Sequence, residues 1–158
     1  VTSQIRDNPM PLENTANWFK TAKPEHTDKD FYVQMGVHFE EVAEMVDELS
    51  PLTNDGKRLL DNARGAVREL ANHLKENGQL SHVILHNQDR LQFLDALCDQ
   101  IVTATGTALF ANMDIVGGMN EVNRSNFSKF EDGKPVLQST GKIGKGSAFT
   151  PPNLTPYI

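Results

Sequence analysis

The chain has 158 residues, of which 38% are hydrophobic and 23% charged, and its formal net charge is −6. That length suits one domain with its own core and is short for two, and the composition excludes an intrinsically disordered chain. The acidic balance argues against a stable nucleic-acid partner, because such binders draw most of their affinity from a basic surface.

Residues 1–12 contain Pro9 and Pro11, lack periodicity and read as an extended N-terminal arm. A short helix is expected from about Leu12 to Ala22, ended by Pro24. Asp28 or Asp30 is the expected cap of a second helix running to about Leu49, with Ser50-Pro51 as its stop. Its apolar residues Phe31, Met35, Phe39, Val42, Met45, Val46 and Leu49 recur every three or four positions, as a buried helical face requires. Thr53-Asn54-Asp55 is a further capping signal, and the third helix is expected to reach Glu76, with Asn77-Gly78 at its C-terminus. Residues 79–87 read as a connector. A fourth helix, about Gln88 to Ala111, is apolar nearly all round and is therefore expected at the centre of a bundle. A fifth helix covers about Ile115 to Phe130. From Glu131 onward Gly, Pro and Lys dominate, so the tail is expected to be irregular apart from a short strand near Val136-Leu137. The domain organisation is thus an arm (1–12), an all-α helical domain (13–130) of four to five helices, and a C-terminal tail (131–158).

Two acidic clusters stand out inside this helical pattern. The first is Glu40-Glu41-Val42-Ala43-Glu44, followed by Asp47 and Glu48; the second is Asp95 and Asp99. Residues three or four apart share a helical face, so Glu41 and Glu44 project together, as do Glu40 and Glu44, and Asp95 and Asp99 lie one turn apart. Acids on a polar helix are ordinarily a solvated face. Asp95 and Asp99, however, sit in the most apolar helix of the chain, where an unpartnered carboxylate is costly. A divalent cation held between the clusters removes that penalty, since Mg²⁺ and Mn²⁺ prefer hard oxygen ligands. Glu41, Glu44 and Asp99 are the leading metal ligands, with Glu40 and Asp95 beside them.

The acids are concentrated near the start: residues 1–50 carry ten acids against four Lys/Arg, and residues 114–158 carry four against five. An acidic, metal-collecting half joined to a mildly basic tail suits a small polyphosphate ligand. On a helix, Asn123, Asn126 and Lys129 fall on one face, and amides and an ammonium suit phosphate oxygens and sugar hydroxyls. An ordinary polar face has the same spacing. Thr140-Gly141-Lys142-Ile143-Gly144-Lys145-Gly146 is a Gly/Lys loop able to meet phosphates, but it lacks P-loop spacing. The five histidines show no zinc-ligand spacing. Trp18 and Phe19 read as core, with an aromatic wall for a nucleobase as the alternative. The lone Cys98 has no partner for an internal disulfide, and no apolar run approaches the roughly 20 residues of a membrane span. No basic-then-apolar leader opens the sequence, so a cytoplasmic protein without a membrane partner is expected.

Glu40-Glu41-x-x-Glu44, followed by a helix with Asp99, resembles the acidic signature of the all-α nucleoside triphosphate pyrophosphohydrolases. That superfamily includes MazG, phosphoribosyl-ATP pyrophosphohydrolase and the dimeric dUTPases. Glu121–Lys129, Gly141-Lys142-Ile143 and Pro151-Pro152 resemble a small MazG-like branch of phages and bacteria. The resemblance covers about residues 15–152. One departure is that Ala96, not Glu, stands three residues before Asp99, with Asp95 one residue further back.

The resemblance implies a MazG-like bundle that assembles as a homodimer or homotetramer. It also implies a Mg²⁺- or Mn²⁺-dependent enzyme, with two or more ions, splitting a (d)NTP into monophosphate and pyrophosphate. On that reading Glu40, Glu41, Glu44 and Asp99 are catalytic, and Asp95 joins them as a metal ligand. Arg124, Asn126, Lys129, Lys142 and Lys145 meet phosphates, and Asn123 shares their face. Gln34 and His38, two turns and one turn before Glu41, reach base or sugar. Purine deoxynucleotides such as dGTP are among the substrates of phage-borne relatives. Two other classes compete: a non-catalytic nucleotide-binding or regulatory bundle, and a helical protein-interaction module whose acids are merely solvated.

Overall fold

Caps and breakers set the helix boundaries. The computed structural model describes residues 10–78, 82–138 and 143–158, and among them five α-helices form: α1 (Pro11–Ala22), α2 (Asp28–Asp47), α3 (Asn54–Asn77), α4 (Arg90–Phe110) and α5 (Ile115–Phe127). The all-α expectation holds, with a two-stranded ribbon of β1 (Phe130–Glu131) and β2 (Lys134–Pro135) added. Thr27, rather than Asp28 or Asp30, caps α2: its hydroxyl accepts from the Asp30 N–H, and the Asp30 carboxylate accepts from the Thr27 N–H at 2.8 Å. This reciprocal box satisfies two otherwise orphaned donors. Thr53 caps α3 by accepting from the Gly56 N–H at 3.0 Å, and Asp114 caps α5 by accepting from the Gly117 N–H at 2.9 Å. α4 closes with Asn112 at φ 59°, its N–H donating to Leu109 O and the Met113 N–H to Ala108 O. That is a Schellman ending with Asn in the left-handed position.

The chain divides into two units: Glu25–His86, and Val1–Pro24 with Asn87–Ile158. The first is an α2/α3 hairpin. Its seam is built from small residues, with Gly36, Ala43, Ala71 and Leu74 buried. A Cβ at Gly36 would lie 2.7 Å from the Ala71 carbonyl oxygen, so only glycine permits this approach of the two backbones.

In the second unit α1 lies against α5 through aromatic and polar contacts. Trp18 stacks on Phe130 with ring centroids 5.8 Å apart, Phe127 meets Phe130 edge to face, and the Trp18 indole N–H donates to Asn126 O at 2.9 Å. The chain then turns back through Asp132-Gly133, both at positive φ, as a tight two-residue hairpin turn requires. The expected strand near Val136-Leu137 thus forms slightly earlier, and Leu137 makes a single bridge to Ile143.

α4 departs from expectation. None of its residues is buried, and only five, Phe93 and Leu97 among them, are even half-covered. Among the described elements of its unit, α4 lies chiefly against α5 and the turn at Asn87–Asp89, little surface for a helix apolar on nearly every side. Among the described residues no helix is long and apolar enough to cross a membrane.

Candidate functional site

The α2/α3 hairpin sorts the first acidic cluster into two classes. Glu40 and Asp47 share the stripe of α2 that carries Gly36 and Ala43, and the cations of α3 reach both. The Lys75 ammonium donates to Glu40 at 2.7 Å, and Asp47 is bound by both Arg64 and Arg68. Glu41 and Glu44 lie on a different stripe, are exposed, and have no ion pair with any described residue. Gln34 is also exposed, while His38 is half-buried with its ring 6.1 Å from that of Phe39.

In the other unit Asp95 and Asp99 stand one turn apart on α4, exposed and without an ion pair among the described residues. The expectation that apolar surroundings bury them is corrected. Leu91, one turn from Asp95, is itself 75% exposed, so both carboxylates remain hydrated within the chain. Within either unit, no group of three or more His, Cys, Asp and Glu among the described residues is arranged to hold a metal. Among the described members of the two acidic clusters, Glu41, Glu44 and Glu48 of the first and Asp95 and Asp99 of the second remain without ion pairs, and Glu41/Glu44 and Asp95/Asp99 are one-turn pairs. Their chemistry, hard anionic oxygen, fits Mg²⁺ or Mn²⁺.

The Asn/Lys segment of α5 is also sorted by packing. Asn123 is buried: its amide donates to Pro11 O at 2.8 Å and its side-chain oxygen accepts from Thr15 at 2.9 Å. It joins α1 to α5 and has no free polar edge for a substrate. Arg124 grips Glu121 through two bonds of 2.7 Å and also reaches Thr150 and the Pro151 carbonyl. Glu121 in turn accepts from the Asn153 N–H at 2.8 Å. The Arg124 guanidinium first, and the Asn153 N–H second, pull the Glu121 carboxyl down to about 2. This clamp fixes the tail on α5, a role missed in the sequence reading. Its signal was the Glu-x-x-Arg spacing on one helix.

Asn126 and Lys129 do come together, with the ammonium donating to the Asn126 side chain at 2.7 Å and lying 5.6 Å from the Trp18 ring centroid. Burial, and then the nearby charge of Lys145, lower the pKa of Lys129. Lys145 itself lies 4.7 Å over the Phe149 ring. Neither lysine has a carboxylate partner among the described residues. Lys142 lies outside the described residues.

Chemically, then, the second unit offers two neighbouring, unneutralised ammonium groups beside an amide and an aromatic face. Both units offer carboxylates not engaged by cations. Compared with known proteins, the chain matches no family model, no curated protein and no solved structure.

Proposed function

We propose that the protein is a metal-dependent nucleoside triphosphate pyrophosphohydrolase that converts a (d)NTP to its monophosphate and pyrophosphate. The observation that supports this reading is the pattern of charge among the candidate residues, although exposed acids elsewhere, such as Glu48, Glu69, Glu76 and Asp89, are likewise without ion pairs among the described residues. Glu40, Asp47 and Glu121 are engaged by cations, whereas Glu41, Glu44, Asp95, Asp99, Lys129 and Lys145 are left without ionic partners among the described residues. Like charges held close without a counterion are unfavourable; a divalent cation at either carboxylate pair, or a phosphate at the lysine pair, supplies the missing charge.

The proposed metal ligands are two separate pairs, each within its own unit: Glu41 and Glu44 on α2, and Asp99 with Asp95 beside it on α4. A bound divalent cation there would neutralise phosphate charge and lower the pKa of a coordinated water. Lys129 and Lys145 hold the phosphate oxygens, and the Asn126 amide orients Lys129. Trp18 gives a flat apolar wall beside the same ammonium. Attack of water on a phosphorus breaks the anhydride bond, the water's proton passes to a free carboxylate, and pyrophosphate leaves. Glu40, ion-paired with Lys75, is a positioning residue for the α2 acids. Purine deoxynucleotides such as dGTP belong in the substrate screen.

The test is release of pyrophosphate from each of the common (d)NTPs by purified protein with Mg²⁺ or Mn²⁺. Glu44→Gln and Asp99→Asn are expected to abolish turnover while leaving helicity intact; full activity in both variants refutes the reading. The Lys129–Lys145 pair also supports a second reading, a nucleotide-binding module without turnover. Calorimetry separates them, because such a module holds nucleotide in the presence of metal and leaves it unchanged.

A further inference from the structure

The turn that follows Lys145 is held by the residue two places beyond Lys129. The Glu131 carboxylate accepts from the Ser147 N–H at 2.6 Å, and the Lys129 carbonyl accepts from the Gly146 N–H at 3.1 Å. The Ser147 N–H first, and its hydroxyl second, hold the Glu131 carboxyl below the usual carboxylate range. Gly146 is buried, and a Cβ there would lie 2.9 Å from the Lys129 carbonyl oxygen, so the two backbones approach this closely only because the residue is glycine. Beyond it the Phe149 N–H donates to the Gly146 carbonyl at 3.1 Å, which brings the Phe149 ring under the Lys145 ammonium. On the other side of Lys145, the Gly144 N–H donates to Val136 O at 2.6 Å.

An acid this close to two unneutralised ammonium groups would ordinarily be their counterion. Glu131 instead turns its oxygen to Ser147 and forms no ion pair among the described residues. We propose that Glu131 is a positioning residue: by holding the Ser147 N–H it fixes Lys145 against Lys129, so that both ammonium groups receive one phosphate chain together. The inference rests on the reading of Lys129 and Lys145 as phosphate-holding groups, and it names the residue that sets their spacing. Capture of a backbone N–H leaves both lysine charges available, whereas an ion pair would cancel one of them. A phosphate oxyanion between the two ammonium groups relieves their mutual repulsion.

The test turns on sign. Removing a negative charge beside the site by itself strengthens anion binding and lowers the pKa of a nearby lysine, while loss of Lys145 from the site does the reverse of both. In Glu131→Ala, with helicity retained by circular dichroism, calorimetric affinity for inorganic tripolyphosphate is expected to fall about fivefold, the size of one ammonium–oxyanion contact in a hydrated site. The Lys129 titration followed by NMR is expected to move up, because the nearby charge of Lys145 is part of what lowers it. Glu131→Gln keeps an oxygen for the Ser147 N–H and is expected to restore both readouts toward wild type. In a Lys145→Ala chain, Glu131→Ala is expected to cause no further loss of affinity. Tighter tripolyphosphate binding, a lower Lys129 titration, or no change in either overturns the proposal, as does a wild-type chain that does not bind tripolyphosphate. Release of pyrophosphate from a (d)NTP is measured separately. Wild-type turnover with an unaffected Glu131→Ala variant removes this inference alone, and the Glu131 effects without any turnover remove the hydrolase reading alone.

Discussion

The α2/α3 hairpin and helix α4 invert the usual relation between composition and burial. α3 is rich in Lys, Arg, Asp and Glu, yet it supplies Ala71 and Leu74, two of the four buried apolar residues among those described. α4 is the most apolar helix and buries nothing within the chain. The difference is one of partner surface. α2 gives α3 a groove floored by Gly36 and Ala43, close enough for backbones nearly to touch, and the long cations of α3 bridge back to Glu40 and Asp47 over its edges. α4 has no such groove in its own unit. Burial is therefore a property of pairs of surfaces and not of one helix's composition.

The sharpest way to break this comparison is to truncate one leucine in each region. Leu74→Ala, at the one large side chain that is fully enclosed among the described residues, is expected to destabilise the fold by about 3 kcal/mol in urea unfolding followed by circular dichroism. Leu91→Ala on α4 is expected to shift the same curve by no more than about 0.5 kcal/mol. Equal losses would erase the distinction.

Gly36→Ala comes next. The new methyl meets the Ala71 carbonyl and the Lys75 side chain inside 3 Å, and overpacking of this kind costs about 2 kcal/mol after a small gain in helix propensity. Asp47→Ala removes the carboxylate shared by Arg64 and Arg68. Because these groups are partly solvated, the expected loss is about 1 kcal/mol, shrinking at high salt.

The smallest effect belongs to the tail clamp. The Glu121 carboxyl titrates at about 2 in the fold against an ordinary 4.5, so its contribution is fully present above pH 4.5 and fades as pH falls through the folded value. Amide signals of Asn153 followed by NMR are expected to hold steady down to that range and then shift. In Glu121→Gln they are expected to be displaced already at neutral pH, with the hairpin unaffected.

Helix boundaries were largely legible in the sequence, because caps and breakers act locally. Thr53, Gly78, Pro24 and Ser50-Pro51 need no tertiary contact to stop or start a helix. The α2 cap was misassigned by one residue because Thr27 and Asp30 share a reciprocal box, in which either partner looks like a cap. The Asp132-Gly133 turn is also encoded locally, by two adjacent residues that tolerate positive φ, within the segment expected to be irregular. For the candidate residues, residue type and helical face were legible and pairing was not. The acids of α2 are alike in the sequence, and only the position of Lys75, Arg64 and Arg68 across the seam separates the engaged Glu40 and Asp47 from the free Glu41 and Glu44. Likewise, Asn123 and Asn126 look equivalent three residues apart, until α1 takes one for packing.

By itself, then, the sequence determined the five helices, their order and the types of charged group each carries, since these depend on periodicity, caps and residue chemistry within a few positions. Only the tertiary structure decided which charges are neutralised and which apolar face is left bare. Those outcomes depend on contacts between residues far apart in the chain, and helix α4, the most apolar segment, is where local pattern and actual burial part company.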